Sequence, residues 1–319
     1  MSIDSKQIEY AAQIIKSGGL VAFPTETVYG LGADALNPVA VAKIFAEKER
    51  PTFDPLIIHV GSIDDIDRYT IPQNEYPYLL ANHFWPGPLT MVLLKKEMIP
   101  DIVTTGLPTV GIRIPHNEIA LSLIRTAERP IAAPSANKFG RISPTTANHV
   151  RKQLPDLPCI LDGGPTQIGI ESTVVTFNED GFVILRQGFI TESDLLQVVP
   201  KSQKGVQKSH RLESPGMLNS HYSPRKPLFI LGEQMPEIDK TKAAFISFTG
   251  KNSEGYKFVE SLSQNQDLKE AAVNLFRIMH QFEEADIEYI VTEPVPLEGI
   301  GIAIMDKLHK AAYQYQNKK

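Results

Sequence analysis

The chain has 319 residues, 42% hydrophobic and 22% charged, a composition that supports packed cores and argues for two domains rather than one. A formal net charge of −5 excludes a protein that coats nucleic acid by bulk electrostatics, and no apolar run reaches the ~20 residues of a membrane span. The single cysteine, Cys159, excludes an internal disulfide and a thiolate zinc knuckle, and the polar start MSIDSKQIEY, with no apolar stretch, points to the cytoplasm.

Ile8, Ala11, Ala12 and Ile15 share one helical face, so residues 5–16 read as a helix ended by Gly18 and Gly19. Residues 20–23 follow as a short buried strand stopped by Pro24. Asn37 and Pro38 make a cap and first-turn pair for a helix running to about Glu47. Further strands are expected at 56–60, 90–94, 110–114, 131–133, 173–177 and 183–185, and helices at 118–126, 146–152 and 193–198. Short apolar strands alternating with helices give an α/β layered class, and the turn at 178–181 makes the sheet mixed rather than wholly parallel. Residues 201–226 hold six Lys or Arg and one acid with few apolar residues, a basic linker composition. Periodic structure resumes at 228–231 and 243–248, then a helix at 268–282, a strand at 289–291 and a last helix at 302–313. The organisation is therefore a first domain over 1–200, a linker over 201–226 and a smaller α/β domain over 227–319.

Five clusters carry chemistry. PTETVYGLG, from Pro24 to Gly32, follows a strand and offers hydroxyls and close-approach glycines to a small polar substrate, or else is an ordinary strand-to-helix turn; it lacks the GxxxxGK[ST] of a Walker loop. Lys48 and Arg50, ahead of Asp54, offer a point charge and a planar fork suited to a triphosphate, or else simply a basic helix end. His59 closes a strand. Arg113 lies inside the apolar run VGIRIP, where an unpaired guanidinium is costly; its partner is an acid of the fold or, as favoured here, a ligand carboxylate. AAPSANKFGRISPTT and DGGPTQIGIESTVV are hydroxyl-rich and glycine-rich walls, closed by Leu185-Arg186-Gln187-Gly188. Together they describe a site for a nucleoside triphosphate and a small anionic co-substrate.

Taken in order, PTETVYGLG, the Lys-x-Arg pair before PLIIH, FWPGPLT, VGIRIP, AAPSAN with SPTT, DGGP with ESTVV, and LRQG resemble the YrdC-type threonylcarbamoyl-AMP synthases. SPGMLNSHYSP and GIGIAIMDKLHKAA resemble the long two-domain version. The resemblance implies a YrdC-like twisted mixed sheet with helices, plus a smaller C-terminal Rossmann-like α/β domain that looks short for the family. It implies condensation of L-threonine, bicarbonate and ATP to threonylcarbamoyl-AMP and pyrophosphate, the product passing to a tRNA threonylcarbamoyl transferase. Thr27, His59, Arg113, the Ala133 backbone and Ser172 would hold threonine. Lys48, Arg50, Asp54, Thr109, Ser135, Ser143 and Arg186 would hold ATP, with Lys48 and Arg50 contributing to catalysis. His221 and Tyr222, in the linker, would fold over the nucleotide. Mg2+ is implied by the triphosphate, which supplies most of its ligands, and no carboxylate pair declares a metal site of its own. Two departures stand out: Glu49 between the two cations, and Asp54 where asparagine is common, which puts direct ATP contact against contact through magnesium. An RNA-binding module is the rival class, favoured by the basic linker and opposed by the net charge. A hydrogenase-maturation carbamoyltransferase is excluded by its need for cysteine-rich zinc segments.

Overall fold

A computed structural model describes residues 4–203 and 219–316, which divide into two compact units. The first comprises Met1–Phe139, Pro144–Thr166 and Glu171–Met217; the second comprises Gly140–Ser143, Gln167–Ile170 and Leu218–Lys319. Two short pieces of the expected first domain thus group with the second unit.

In the first unit the elements run α1 (Ser5–Lys16), β1 (Val21–Pro24), β2 (Tyr29–Asp34), α2 (Pro38–Lys48), β3 (Ile57–His59), α3 (Asp65–Tyr69), β4 (Thr70–Ile71), α4 (Tyr76–Phe84), β5 (Leu89–Lys95), α5 (Asp101–Thr104), β6 (Thr109–Arg113), α6 (Glu118–Ala127), β7 (Ile131–Ala132), α7 (Ala147–Gln153), β8 (Thr173–Asn178), β9 (Gly181–Arg186) and α8 (Glu192–Leu196). The sheet order is β1-β2-β7-β3-β6-β5-β8-β9, with β4 paired to β5. Parallel pairs (β3 with β6, β5 with β8) mix with antiparallel ones, as the 178–181 turn led us to expect. Alternation along β1 splits the core: Val21 and Phe23 pack with the buried faces of α1 and α6, while Ala22 joins the larger core that holds Val41, Ile44 and Leu80. The α1 face is the one its spacing specified, and Asn37 caps α2 by accepting from the amides of Val39 and Ala40. Cys159 is buried in the α1–α6 core.

One element reverses expectation. PTETVYGLG is not a strand-to-helix turn but a β-hairpin: β1 and β2 pair from Val21↔Gly32 to Pro24↔Tyr29. Thr25 makes the turn in place of a glycine pair. Its Oγ1 accepts from the amides of Thr27 (3.1 Å) and Val28 (3.2 Å) and lies 2.7 Å from the Val28 carbonyl.

The second unit contains β10 (Leu228–Ile230), β11 (Ala243–Ser247), β12 (Phe258–Ser261), α9 (Leu268–Glu284), β13 (Tyr289–Thr292) and α10 (Gly301–Gln316). Its four strands are all parallel in the order β10-β13-β11-β12, so β13 enters between β10 and β11. The wide apolar faces of α9 and α10 are buried, as a parallel sheet requires. No helix among the described residues is long and apolar enough to cross a membrane.

Candidate active site

Buried basic side chains in the first unit form two clusters, around Arg113 and around Lys48 and Arg50. In β6, Thr109 opens the strand and Arg113 ends it, about 13 Å apart at ~3.3 Å per residue. His59 stands opposite Arg113 in parallel β3. Arg113 is 4% exposed, with Nη2 2.7 Å from Glu26 Oε1. Its Nε donates to the Gly87 carbonyl (3.2 Å), and Nη1 and Nη2 donate to Thr27 Oγ1 (3.1 Å each). The guanidinium therefore already has an acid of the fold, so its burial alone does not require a ligand carboxylate. That corrects the preference stated from sequence. His59 is buried, its Nδ1 has no hydrogen-bond partner among the described residues, and burial next to the Arg113 charge pushes its pKa down to about 3. It is a neutral imidazole at any physiological pH.

The wall of this pocket is tied to the hairpin. The Ala133 amide is already used, donating to the Ile57 carbonyl at 3.0 Å. Tyr29 links PTETVYGLG to DGGP: its hydroxyl donates to Gly164 O (2.7 Å) and accepts from the Gly163 amide (3.2 Å). Burial, then the Asp162 charge, pushes that phenol up to about 12. Ser172 joins the far side. Its Oγ lies 2.8 Å from Thr90 Oγ1 and accepts from Arg186 Nη2 at 2.9 Å, while its carbonyl accepts from Arg186 Nε and Nη2. Arg186 can come this close because residue 188 is glycine: a Cβ there would sit 2.3 Å from the Thr173 amide nitrogen.

The second pocket is built at the end of α2. Lys48 is 1% exposed, and its Nζ donates to the carbonyls of Ser135 (2.6 Å) and Asn137 (2.5 Å), pinning the AAPSAN loop. Burial, then the neighbouring Arg50, holds its ammonium well below the usual lysine range. Arg50 donates to the carbonyls of Asp54 (3.0 Å) and Pro55 (2.9 Å) and pairs with the Asp54 carboxylate at 2.9 Å. Asp54 is fully buried; burial raises its pKa, opposed by Arg50, Lys48 and Arg186 in turn. Glu49 takes the left-handed C-cap of α2, points to solvent and pairs with Lys138 at 3.1 Å. Its charge is turned away from the cations that flank it in sequence.

Not every candidate joins these pockets. Thr109, half-buried, shares no hydrogen bond with the Lys48–Arg50 cluster among the described residues. Ser143 belongs to the second unit, where its carbonyl lies 3.0 Å from His280 Nε2. His221 and Tyr222 are also in the second unit and are buried: the His221 amide donates to Lys310 O (3.2 Å), and the Tyr222 ring lies 5.3 Å from that of Phe276. Tyr222 holds φ at 59°, a rare setting for a non-glycine residue. Most of the linker, residues 204–218, lies outside the described residues, and so does most of the lid reading. Glu26 was missed: within PTETVYGLG nothing distinguishes its carboxylate until the hairpin turns it toward Arg113. Among the described residues, no group of three His, Cys, Asp or Glu is placed to hold a metal.

A mixed α/β sheet carrying buried basic clusters around Arg113 and around Lys48 and Arg50 defines a protein of the YrdC-like α/β class. The family model described as "Telomere recombination" (Sua5, YciO and YrdC) matches residues 13–188, and that described as "Threonylcarbamoyl-AMP synthase, C-terminal domain" matches residues 190–313. Relatives named threonylcarbamoyl-AMP synthase include that of Pyrococcus abyssi, 38% identical over 97% of this chain and 95% of its own length, and that of Bacillus subtilis, 39% identical over 98% and 94%. The crystal structure of P. abyssi Sua5 complexed with L-threonine superposes with a TM-score of 0.86 at 38% identity, covering 98% of this chain and 96% of that one. A second structure of that protein, also at TM-score 0.86, carries alanines in place of an adjacent His–Tyr pair. The chain belongs to the threonylcarbamoyl-AMP synthase family.

Proposed function

We propose that the chain condenses L-threonine, bicarbonate and ATP to L-threonylcarbamoyladenylate and pyrophosphate, as a cytoplasmic nucleotidyltransferase whose product feeds a tRNA threonylcarbamoyl transferase. The observation that carries this is the buried Arg113 pocket, which presents a fork of donors, a hydroxyl and a neutral imidazole within a chain whose relative is known in complex with L-threonine. Arg113 pairs the threonine carboxylate. Thr27, His59, the Ala133 backbone and Ser172 fit around the rest. Neutral His59 suits this place, since a cation there would compete with Arg113 for the carboxylate.

ATP falls to the second pocket. Lys48, Arg50 and Arg186 supply positive charge for the phosphates, and Ser135 and Thr109 are assigned with them on the motif match. Ser143, His221 and Tyr222 are assigned to ATP on sequence alone. The chain has a single His-Tyr dipeptide, 221–222, and such a pair was chosen for replacement in the relative. Mg2+ accompanies the triphosphate and neutralises its charge. Asp54 is the carboxylate suited to it, because neither of its oxygens has a hydrogen bond among the described residues. The reaction joins the carbamate oxygen of carboxylated threonine to the α-phosphorus and expels pyrophosphate. Carbamate and mixed anhydride are both water-labile, so these buried residues act by orienting reactants, excluding water and offsetting developing charge. The basic composition of residues 201–226 suits direct contact with tRNA.

The test is pyrophosphate release by the purified protein. Release that requires ATP, threonine and bicarbonate together supports the proposal; release that ignores threonine contradicts its substrate.

A further inference from the structure

The threonine reaction needs a proton acceptor, because the α-amino group arrives as an ammonium and reacts only as a free amine. Glu26 is 2% exposed in the turn between β1 and β2. Its Oε1 lies 2.7 Å from Arg113 Nη2, yet neither carboxylate oxygen has an aligned hydrogen bond among the described residues. A buried carboxylate left without donors is costly and ordinarily selected against. Nor is Glu26 needed to orient Arg113, since Gly87 O and Thr27 Oγ1 already fix three of its guanidinium nitrogens. The Thr25 hydroxyl locks the turn and so holds Glu26 inward.

We propose that Glu26 is the catalytic proton acceptor for the α-ammonium of the amino-acid substrate, which it binds while Arg113 takes the carboxylate. The buried Arg113–Glu26 pair is the charge complement of a zwitterion, one pole for each end. An ammonium N–H bond then breaks and its proton passes to a Glu26 oxygen. The freed nitrogen pair forms the C–N bond with the bicarbonate carbon. A second nitrogen proton leaves with the bicarbonate hydroxyl as water, giving the carbamate with charge balanced. Glu26 returns its proton to solvent after product release.

This rests on the threonine reading above, and the test separates the two. Wild type that releases no pyrophosphate in response to threonine removes the reading itself. With that response present, Glu26→Gln is compared with wild type from pH 7 to 9, with threonine affinity measured by calorimetry. We expect Glu26→Gln to bind threonine within about tenfold of wild type but to lose turnover at pH 7 by about 100-fold or more. Its turnover then recovers by about tenfold per pH unit as free amine accumulates, while wild type stays nearly flat. Turnover within about threefold of wild type at pH 7, or a deficit equal at every pH, overturns the proposal. Should Glu26→Gln not fold, Glu26→Asp carries the test: a slowed enzyme with the flat wild-type profile supports it, and a profile rising about tenfold per unit overturns it.

Discussion

Arg50 meets its carboxylate four residues on, within one loop, whereas Arg113 meets Glu26 across the sheet, from the end of β6 to the β1–β2 turn. Both pairs are buried, but they are held differently. Arg50 also grips the backbone of its own loop at Asp54 and Pro55, and burial raises the Asp54 pKa against the opposing pull of Arg50. The Arg113 pair exists only when β1, β2 and β6 are assembled. The Arg50–Asp54 pair is thus written locally, while the Arg113–Glu26 pair is a product of tertiary structure.

The largest effect should come from breaking the long-range pair. Arg113→Ala leaves Glu26 buried without its cation and should cost about 3–5 kcal/mol of stability in urea unfolding. Adding Glu26→Gln should recover much of that loss, because the variant no longer buries an uncompensated charge. Next is Lys48→Met, which orphans the Ser135 and Asn137 carbonyls and should cost about 2–3 kcal/mol while loosening the AAPSAN loop. Its effect on ATP affinity should exceed its effect on threonine affinity in calorimetry.

Asp54→Asn should produce a smaller change, visible in its pH dependence. Because the folded-state pKa of Asp54 is raised, the folded protein holds that proton more tightly than the unfolded chain does. Stability tied to this group is therefore present below the ordinary carboxylate range and lost as pH rises through the folded pKa. Asparagine should remove that decline from a stability-versus-pH series, and a decline that persists would place it on another group. Smallest of all, Glu49→Ala should change stability by less than about 0.5 kcal/mol and leave ATP affinity intact, since its partner is the surface Lys138.

The same contrast explains what was legible in the sequence. The α1 face, the Asn37 cap and the 178–181 turn follow from spacing and local chemistry, and each is found where that chemistry places it. Lys48 and Arg50 could be suspected because they are neighbours. Glu26 could not, since its role depends on a hairpin whose turn is made by a threonine hydroxyl instead of Asn-Gly. Strand β12, half-exposed at the sheet edge, and the short α3 and α5 also escaped, because they bury too few residues to leave a periodic signature. Glu49 misled for the opposite reason. Adjacent in sequence to two buried cations, it is directed outward by the left-handed turn that ends α2.

The division of labour between the pockets is tested most directly by calorimetric titration of Arg113→Ala and Arg50→Ala with threonine and with ATP. Arg113→Ala should weaken threonine by about 100-fold or more and ATP by less than about fivefold, with Arg50→Ala showing the reverse order. Equal losses of both ligands in both variants would contradict two separate pockets.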